Sequence, residues 1–423
     1  MKKNILYISY HYLPSNSIGA NRSFTQVSAL RLLGNRVKLV HASNDNSRYI
    51  TNSDHIPHED DISIEIDRGT INTLYNKGSF IKSLIIRYFS FLLKFYQHLY
   101  MFFFGDQQDW DTPENFDRVV TDLNDFEPDL IISTCGPIEN HSFASKFKEL
   151  YSCFWVAEYR DSWSYNPMIS GTDPSDFVSA LCRLRERKII HTVDLILAVS
   201  PMIKNYYEHF FNKKTYLIFS GWMDSEKTLP EPVFTFKHPD KKNILHLGSM
   251  LLGKRSPIPL INLFERNALL RENYNMHFIG RDTNLFKSHL ENTSYAKSSI
   301  FLENEISFMQ SRAEGTNADF LLLLMMDHPG EQHVVTGKIY EYIFLQKPII
   351  IIDSQSSEAS KIVSKYNLGY ICKSIDDFED LLISLCKDYD VLKPSIEVRN
   401  QFNVLHTIEK FMRHLDQFSS KQH

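Results

Sequence analysis

Asp319-Phe320-Leu321-Leu322-Leu323-Leu324, then Thr336-Gly337-Lys338-Ile339-Tyr340-Glu341-Tyr342, then Gln346-Lys347-Pro348 running into Ile349–Ile352, is the most informative stretch of this chain. Two short apolar runs bracket a helical pattern, as buried strands on either side of a crossover helix do. Thr336 is suited to cap the helix start, and Gly337 has no side chain to block a close backbone approach. Amides at a helix start attract anions, and Lys338 adds a positive charge there. Glu341 follows one turn later, where its carboxylate can accept both hydroxyls of a ribose. The competing reading is a capped helix with a Lys338–Glu341 ion pair.

Working outward, strands are expected at Ile5–Ser9, Val37–His41, Asp129–Thr134, Phe154–Glu158, Asp194–Val199 and Thr215–Phe219. A second set is expected at Asn243–Leu247, Met276–Ile279, Ile300–Leu302, Asp319–Leu324, Pro348–Ile352 and Leu368–Cys372. Alternation of strands with helical patterns implies parallel sheets covered on both faces. Pro230-Glu231-Pro232 and the polar His238–Lys242 read as the linker between the sets. Glu397–Phe418 has apolar residues at helical spacing and is expected to be one terminal helix closing the second domain. The expected domains are 1–222, 223–395 and a terminal helix over 396–423.

The 423 residues suit two domains of roughly 150–220 residues each. With 43% hydrophobic and 23% charged residues the composition is globular, and a net charge of −5 provides no basic field for nucleic acid. Five widely spaced cysteines without a Cys-x-x-Cys pair argue against a disulfide framework and fit a reducing cytosol. The apolar run after Met1-Lys2-Lys3-Asn4 is too short for a signal peptide and reads as a first strand.

Phe80–Phe104 is a helix-length segment with one narrow polar stripe of Ser83, Arg87, Ser90, Lys94 and Gln97. Spanning a bilayer would cost about 2.5–3.5 kcal/mol for each of Arg87 and Lys94. The better readings are a helix buried against the first sheet or a partner, and an interfacial helix touching a membrane to reach a lipid-linked acceptor.

In Thr336–Tyr342 with Lys347-Pro348, in Ala318–Leu324, in Asp194–Ser200, in Arg160-Asp161-Ser162-Trp163 and in the opening Tyr10–Pro14 and Ile18–Arg22, the chain resembles the bacterial family 4 glycosyltransferases of the GT-B fold. The matches keep their order over most of the chain and are weakest from about Asn44 to Asp111. The resemblance implies two Rossmann-like doubly wound α/β domains facing across a cleft, with a terminal helix that can cross back. It implies a retaining transfer from a nucleotide-diphosphate sugar to a glycan or lipid-linked acceptor; with a basic cradle for the diphosphate, no metal or other cofactor is expected. Surface polysaccharide or lipopolysaccharide assembly at the cytoplasmic face of the membrane is the implied setting. A nucleotide-sugar epimerase of the same fold and a non-catalytic binding protein are the alternatives.

The resemblance also assigns roles. The glutamate at Glu341 holds the ribose, and the backbone at Gly337 and Lys338 meets the diphosphate. A basic pair, here Lys254 and Arg255, neutralises the leaving diphosphate, with Ser249 standing where many members carry arginine. His333 occupies the place of a second glutamate that reads the sugar. Gly19 matches a position where backbone approaches the donor, and Arg22 follows on a helix where it can reach an anion. Asp161, just past a strand, is the candidate contact to the acceptor hydroxyl or sugar, against an Arg160–Asp161 ion pair. His141 is expected to be buried rather than catalytic. Asp109-Trp110-Asp111 and Asp388-Tyr389-Asp390 are read as chance spellings of Asp-x-Asp, and His58–Asp61 as a solvated acidic turn.

Overall fold

The computed structural model describes residues 2–15, 18–43, 58, 61–64, 110–165, 177–224, 229–234, 240–250, 255–325, 335–387 and 392–419. Phe80–Phe104, Asp109, Lys254, His333 and Asp388–Asp390 lie outside them. No described helix is long and apolar enough to cross a membrane.

The chain divides into two compact units, one of Met1–Phe219 with Ile408–His423 and one of Ser220–Thr407. The first holds β1 (Asn4–Ile8), β2 (Arg36–Ala42), β3 (Ile62–Ile64), β4 (Leu130–Thr134), β5 (Phe154–Tyr159), β6 (Leu195–Ala198) and β7 (Thr215–Leu217). They form a parallel sheet in the order β3-β2-β1-β4-β5-β6-β7. The second holds β8 (Lys242–Leu247), β9 (Tyr274–Ile279), β10 (Ile300–Glu303), β11 (Phe320–Leu324), β12 (Ile349–Ile352) and β13 (Gly369–Cys372). These are also parallel, in the order β10-β9-β8-β11-β12-β13.

Burial explains the composition of these strands. Every residue of β4 and β11 is buried, so neither face tolerates a polar alternation. Trp155, Phe143, Phe147 and Tyr207 anchor the first core, and Phe264, Phe278, Leu322 and Phe378 the second. Each such side chain contributes about 1.5–3 kcal/mol on burial. In both sheets the strand order reverses direction beside the first strand, between β1 and β4 and between β8 and β11. Loops at the carboxyl ends of strands flanking such a reversal are where doubly wound folds bind ligands.

All twelve expected strands form, with ends shifted by one or two residues; β3 was not anticipated. It follows directly on Asp61, which was expected to belong to a solvated acidic turn. The Asp61 side chain is buried and accepts from Arg31 at 2.6 Å. The Pro230–Pro232 stretch is not a free linker. The Glu231 carbonyl accepts from Gln310 at 2.9 Å, and Glu314 takes the amides of Val233 and Phe234. Nor is Glu397–Phe418 one helix closing the second domain. It breaks into Ile396–Gln401 and Val404–Ser419, because the Phe402 carbonyl and Val404 amide turn to the backbone of Trp222 at 3.0 and 2.8 Å. From Ile408 onward the second helix groups with the first unit, where Phe411 and His414 pack on Tyr216 and Asp416 pairs with Lys3.

Candidate functional site

In the second unit the ends of β8 and β9 are pressed together through two glycines. A Cβ on Gly280 would lie 2.1 Å from the Gly248 carbonyl oxygen. Gly248 has a φ of 123°, and a Cβ there would meet Cε and Nζ of Lys338 at 2.2 and 2.5 Å. The glycine is therefore the bed on which the Lys338 side chain lies.

Lys338 opens the helix Lys338–Leu345, and its Nζ is 3.3 Å from His246 Nε2. His246 Nδ1 is 2.9 Å from the Leu322 carbonyl, a partner that requires the proton on Nδ1 and leaves Nε2 as an acceptor. Burial, then the charge of Arg255, pushes the Lys338 ammonium down to about 7. Burial, then the charge of Lys338, holds His246 well below the usual imidazole range. Among the described residues no carboxylate stands at ion-pair distance from Lys338. A desolvated cation beside an imidazole and a guanidinium is an unmet demand for an anion.

Tyr342 locks this helix to the sheet, accepting from the Leu247 amide at 3.0 Å and donating to the Leu322 carbonyl at 3.1 Å. Glu341 does not pair with Lys338. Arg312 donates to it through Nε at 2.7 Å and Nη2 at 3.2 Å, while Nη1 holds the Met223 carbonyl at 3.1 Å. The guanidinium is sandwiched by Phe308 and Phe344, with ring centres 4.6 and 4.1 Å away. The Arg312 side chain is 3% exposed and that of Glu341 24%, so the carboxylate is held from behind and open in front. Two hydrogen bonds leave a carboxylate with lone pairs to spare.

The helix start differs from expectation. The cap position is Gly337, with no side-chain hydrogen bond, rather than Thr336, which is buried. The Ile339 and Tyr340 amides bond to the carbonyls of Thr336 and Gly337, so fewer amides face a ligand than a fresh helix end offers. The side chain of Lys338 is thus the larger positive element.

In the first unit the expected residues split. Arg22 and Glu158 form a buried ion pair, and Gln26 donates to the same Glu158 oxygen at 2.6 Å. Burial alone would raise the Glu158 carboxyl, but the charge of Arg22 holds it below its ordinary range. The anion that Arg22 reaches is therefore this internal carboxylate. Gly19 lies within the helix Ile18–Leu32, and a Cβ there would come 2.2 Å from Arg160 Nη1. Arg160 donates from Nε and Nη2 to the Cys135 carbonyl at 3.2 and 3.0 Å and makes no ion pair with Asp161. Asp161 is exposed at the bend after β5. His141 is fully buried, 2.8 Å from Ser133 Oγ, with burial pushing its imidazole down to about 3. Asp111 serves structure, accepting from Ser142 at 2.5 Å and Lys146 at 2.7 Å.

The sequence reading did not single out Arg312, His246, Tyr342 or Gly280. Only the glycines ending two successive strands, Leu247-Gly248 and Ile279-Gly280, offered a local signal. Among the described residues no cluster of three His, Cys, Asp or Glu could hold a metal.

No family model matches the chain, and no curated protein matches it in sequence. Solved structures do. Sucrose-phosphate synthase from Thermosynechococcus elongatus superposes with a TM-score of 0.63 at 13% identity, covering 98% of this chain and 100% of that one. A trehalose-6-phosphate protein from E. coli bound with UDP-2-fluoro glucose gives 0.58 at 12%, covering 98% and 99%. A putative UDP-N-acetylglucosamine 2-epimerase from Listeria monocytogenes gives 0.53 at 10%, covering 100% and 98%. At such identities the likeness shows the fold alone. That fold is GT-B, two parallel α/β sheets of seven and six strands.

Proposed function

We propose that the chain is a retaining glycosyltransferase that takes its donor, a nucleotide-diphosphate sugar, at the reversal point of the second sheet. The observation that carries this is the pairing, on one helix, of a buried lysine that has no carboxylate at ion-pair distance among the described residues with a glutamate partly exposed and held from behind. Lys338 and Arg255, with Lys254 beside it in the chain, receive the diphosphate. Glu341 receives the ribose hydroxyls, oriented by Arg312. His333 is assigned to reading the sugar, Gly19 to the close approach of backbone to the donor, and Asp161 to the acceptor hydroxyl or the sugar.

The mechanism is chiefly electrostatic. As the bond from the anomeric carbon to the diphosphate breaks, negative charge grows on the leaving oxygens. Preorganised cations stabilise it, each worth about 2.7–4 kcal/mol in sites of this kind. The acceptor hydroxyl attacks the same face, passing its proton to the departing phosphate oxygen, so the configuration is retained without metal or protein nucleophile. The acceptor is a glycan or lipid-linked hydroxyl, encountered at the cytoplasmic membrane surface in polysaccharide assembly.

The test is donor cleavage by purified protein against a panel of UDP, GDP and ADP sugars. Glu341→Ala should lower it at least about tenfold at subsaturating donor and the Lys254→Ala/Arg255→Ala pair should abolish it; unchanged cleavage in either overturns the assignment. Likeness to an epimerase favours one rival. Appearance of an epimerised sugar from donor alone, with no acceptor present, would establish that rival instead.

A further inference from the structure

The reversal point of the first sheet carries a second unmatched cation. Arg160, immediately after β5, lays its guanidinium between Gly19, beyond β1, and Gly136, beyond β4. A Cβ on Gly19 would sit 2.2 Å from Nη1, and one on Gly136, whose φ is 100°, 2.6 Å from Nη2. Two positions on opposite sides of the reversal are thus stripped of side chains around one guanidinium. Cys135 accepts from Nε and Nη2, which fixes the plane and leaves Nη1 without a hydrogen-bond partner among the described residues.

Among the described residues no carboxylate makes an ion pair with it. Glu158 feels its charge but is hydrogen-bonded by Arg22 and Gln26, and Asp161 acts on it from beyond ion-pair distance. The helices Ile18–Leu32 and Glu139–Tyr151 both begin at this end of the sheet, and each contributes roughly half a positive charge there. Arg160 stands half-buried among like-signed ends.

We propose that this is an oxyanion site of the first unit, in which Arg160 binds a phosphate-type group presented between Gly19 and Gly136. A planar guanidinium with a fixed fork suits phosphate oxygens. The group can belong to a phosphorylated acceptor or to a nucleotide diphosphate. The proposal does not depend on the donor reading of the second unit.

Calorimetric titration of the full chain with inorganic pyrophosphate at low salt tests it. The wild type should bind two equivalents, Arg160→Gln one and Lys338→Met one. Arg160→Lys, which keeps the charge without the fork, should keep the second site at about tenfold weaker affinity. An Arg160→Gln protein that binds as many equivalents as the wild type, with affinity within about twofold, overturns the proposal. If Arg160→Gln fails to melt cooperatively, Arg160→Lys decides, and unchanged affinity there overturns it equally. Competing UDP then identifies the source. Displacement of the Lys338-dependent equivalent alone assigns the Arg160 anion to a phosphorylated acceptor; displacement of both assigns it to the nucleotide. Failure of UDP to displace either would sink the donor reading while leaving the Arg160 site standing.

Discussion

The two sheets reverse direction in the same way but treat buried charge in opposite ways. Beneath the first reversal, Arg22 and Glu158 are matched, charge for charge, with Gln26 and Tyr7 completing the set. Beside the second, Lys338 and His246 face each other under the charge of Arg255, with no acid at ion-pair distance among the described residues. Matched charge deep in a fold behaves as architecture, because each ion is solvated by its partner. Unmatched charge costs stability and persists where a ligand supplies the missing sign. Of these two buried sets, Lys338 with His246 reads as part of a binding site and Arg22 with Glu158 as architecture.

The sharpest way to break this comparison is to unpair the first set. Glu158→Ala leaves Arg22 buried without an anion and should destabilise the first unit by about 3–5 kcal/mol in urea unfolding. Glu158→Gln, which keeps the shape, should cost much of the same. The carboxyl is held below its unfolded value, so this contribution is present above the ordinary carboxylate range and lost as pH falls through the folded pKa. A loss under about 1 kcal/mol would mean Arg22 is solvated and the contrast is false.

Lys338→Met should do the reverse. Removing a desolvated cation should leave stability unchanged or raised, while donor cleavage falls about 10²–10³-fold. Loss of stability together with activity would class Lys338 with Arg22.

Next in size is the ribose clamp. Glu341→Ala should weaken nucleotide binding by about 1.5–3 kcal/mol, the worth of hydrogen bonds to a charged group. Arg312→Lys should narrow the preference for ribonucleotide over 2′,3′-dideoxynucleotide, because it frees the carboxylate without deleting it. Equal weakening of both ligands would make Arg312 merely structural.

These residues also mark what the sequence made legible. β11 and β12 announce themselves because a strand buried on both faces must be apolar throughout. β3 escaped because Ile62–Ile64 is three residues long and follows acidic residues that resemble a loop. Lys338 and Glu341 were found through a local pattern, one turn apart on a helix. Their true partners were not: His246 and Arg312 lie 92 and 29 residues away, and no spacing rule connects them. The competing Lys338–Glu341 pair is not what forms; a bidentate guanidinium beside two aromatic rings takes the carboxylate instead. Arg22 was assigned to an anionic ligand because nothing local connects a helix arginine to a strand glutamate 136 residues away.

The smallest effect is the one that separates the two charge sets by titration. Free Lys338 ionises near 7, so above that pH the diphosphate meets a largely neutral amine. The bound anion favours the charged form, so the bound pKa is higher and binding takes up a proton. Affinity for UDP should therefore weaken by up to about tenfold per unit as pH rises above 7, until the bound-state pKa is passed. The unliganded protein should respond oppositely. Its folded lysine binds fewer protons than the unfolded one between 7 and the ordinary lysine value, so this group makes stability rise with pH over that window. Isothermal titration from pH 7 to 9, in buffers of differing ionisation enthalpy, reads the proton directly. Lys338→Met should flatten both the affinity slope and the proton uptake. A slope that survives the substitution would place the titrating group elsewhere, and with it the claim that an unmatched lysine marks the site.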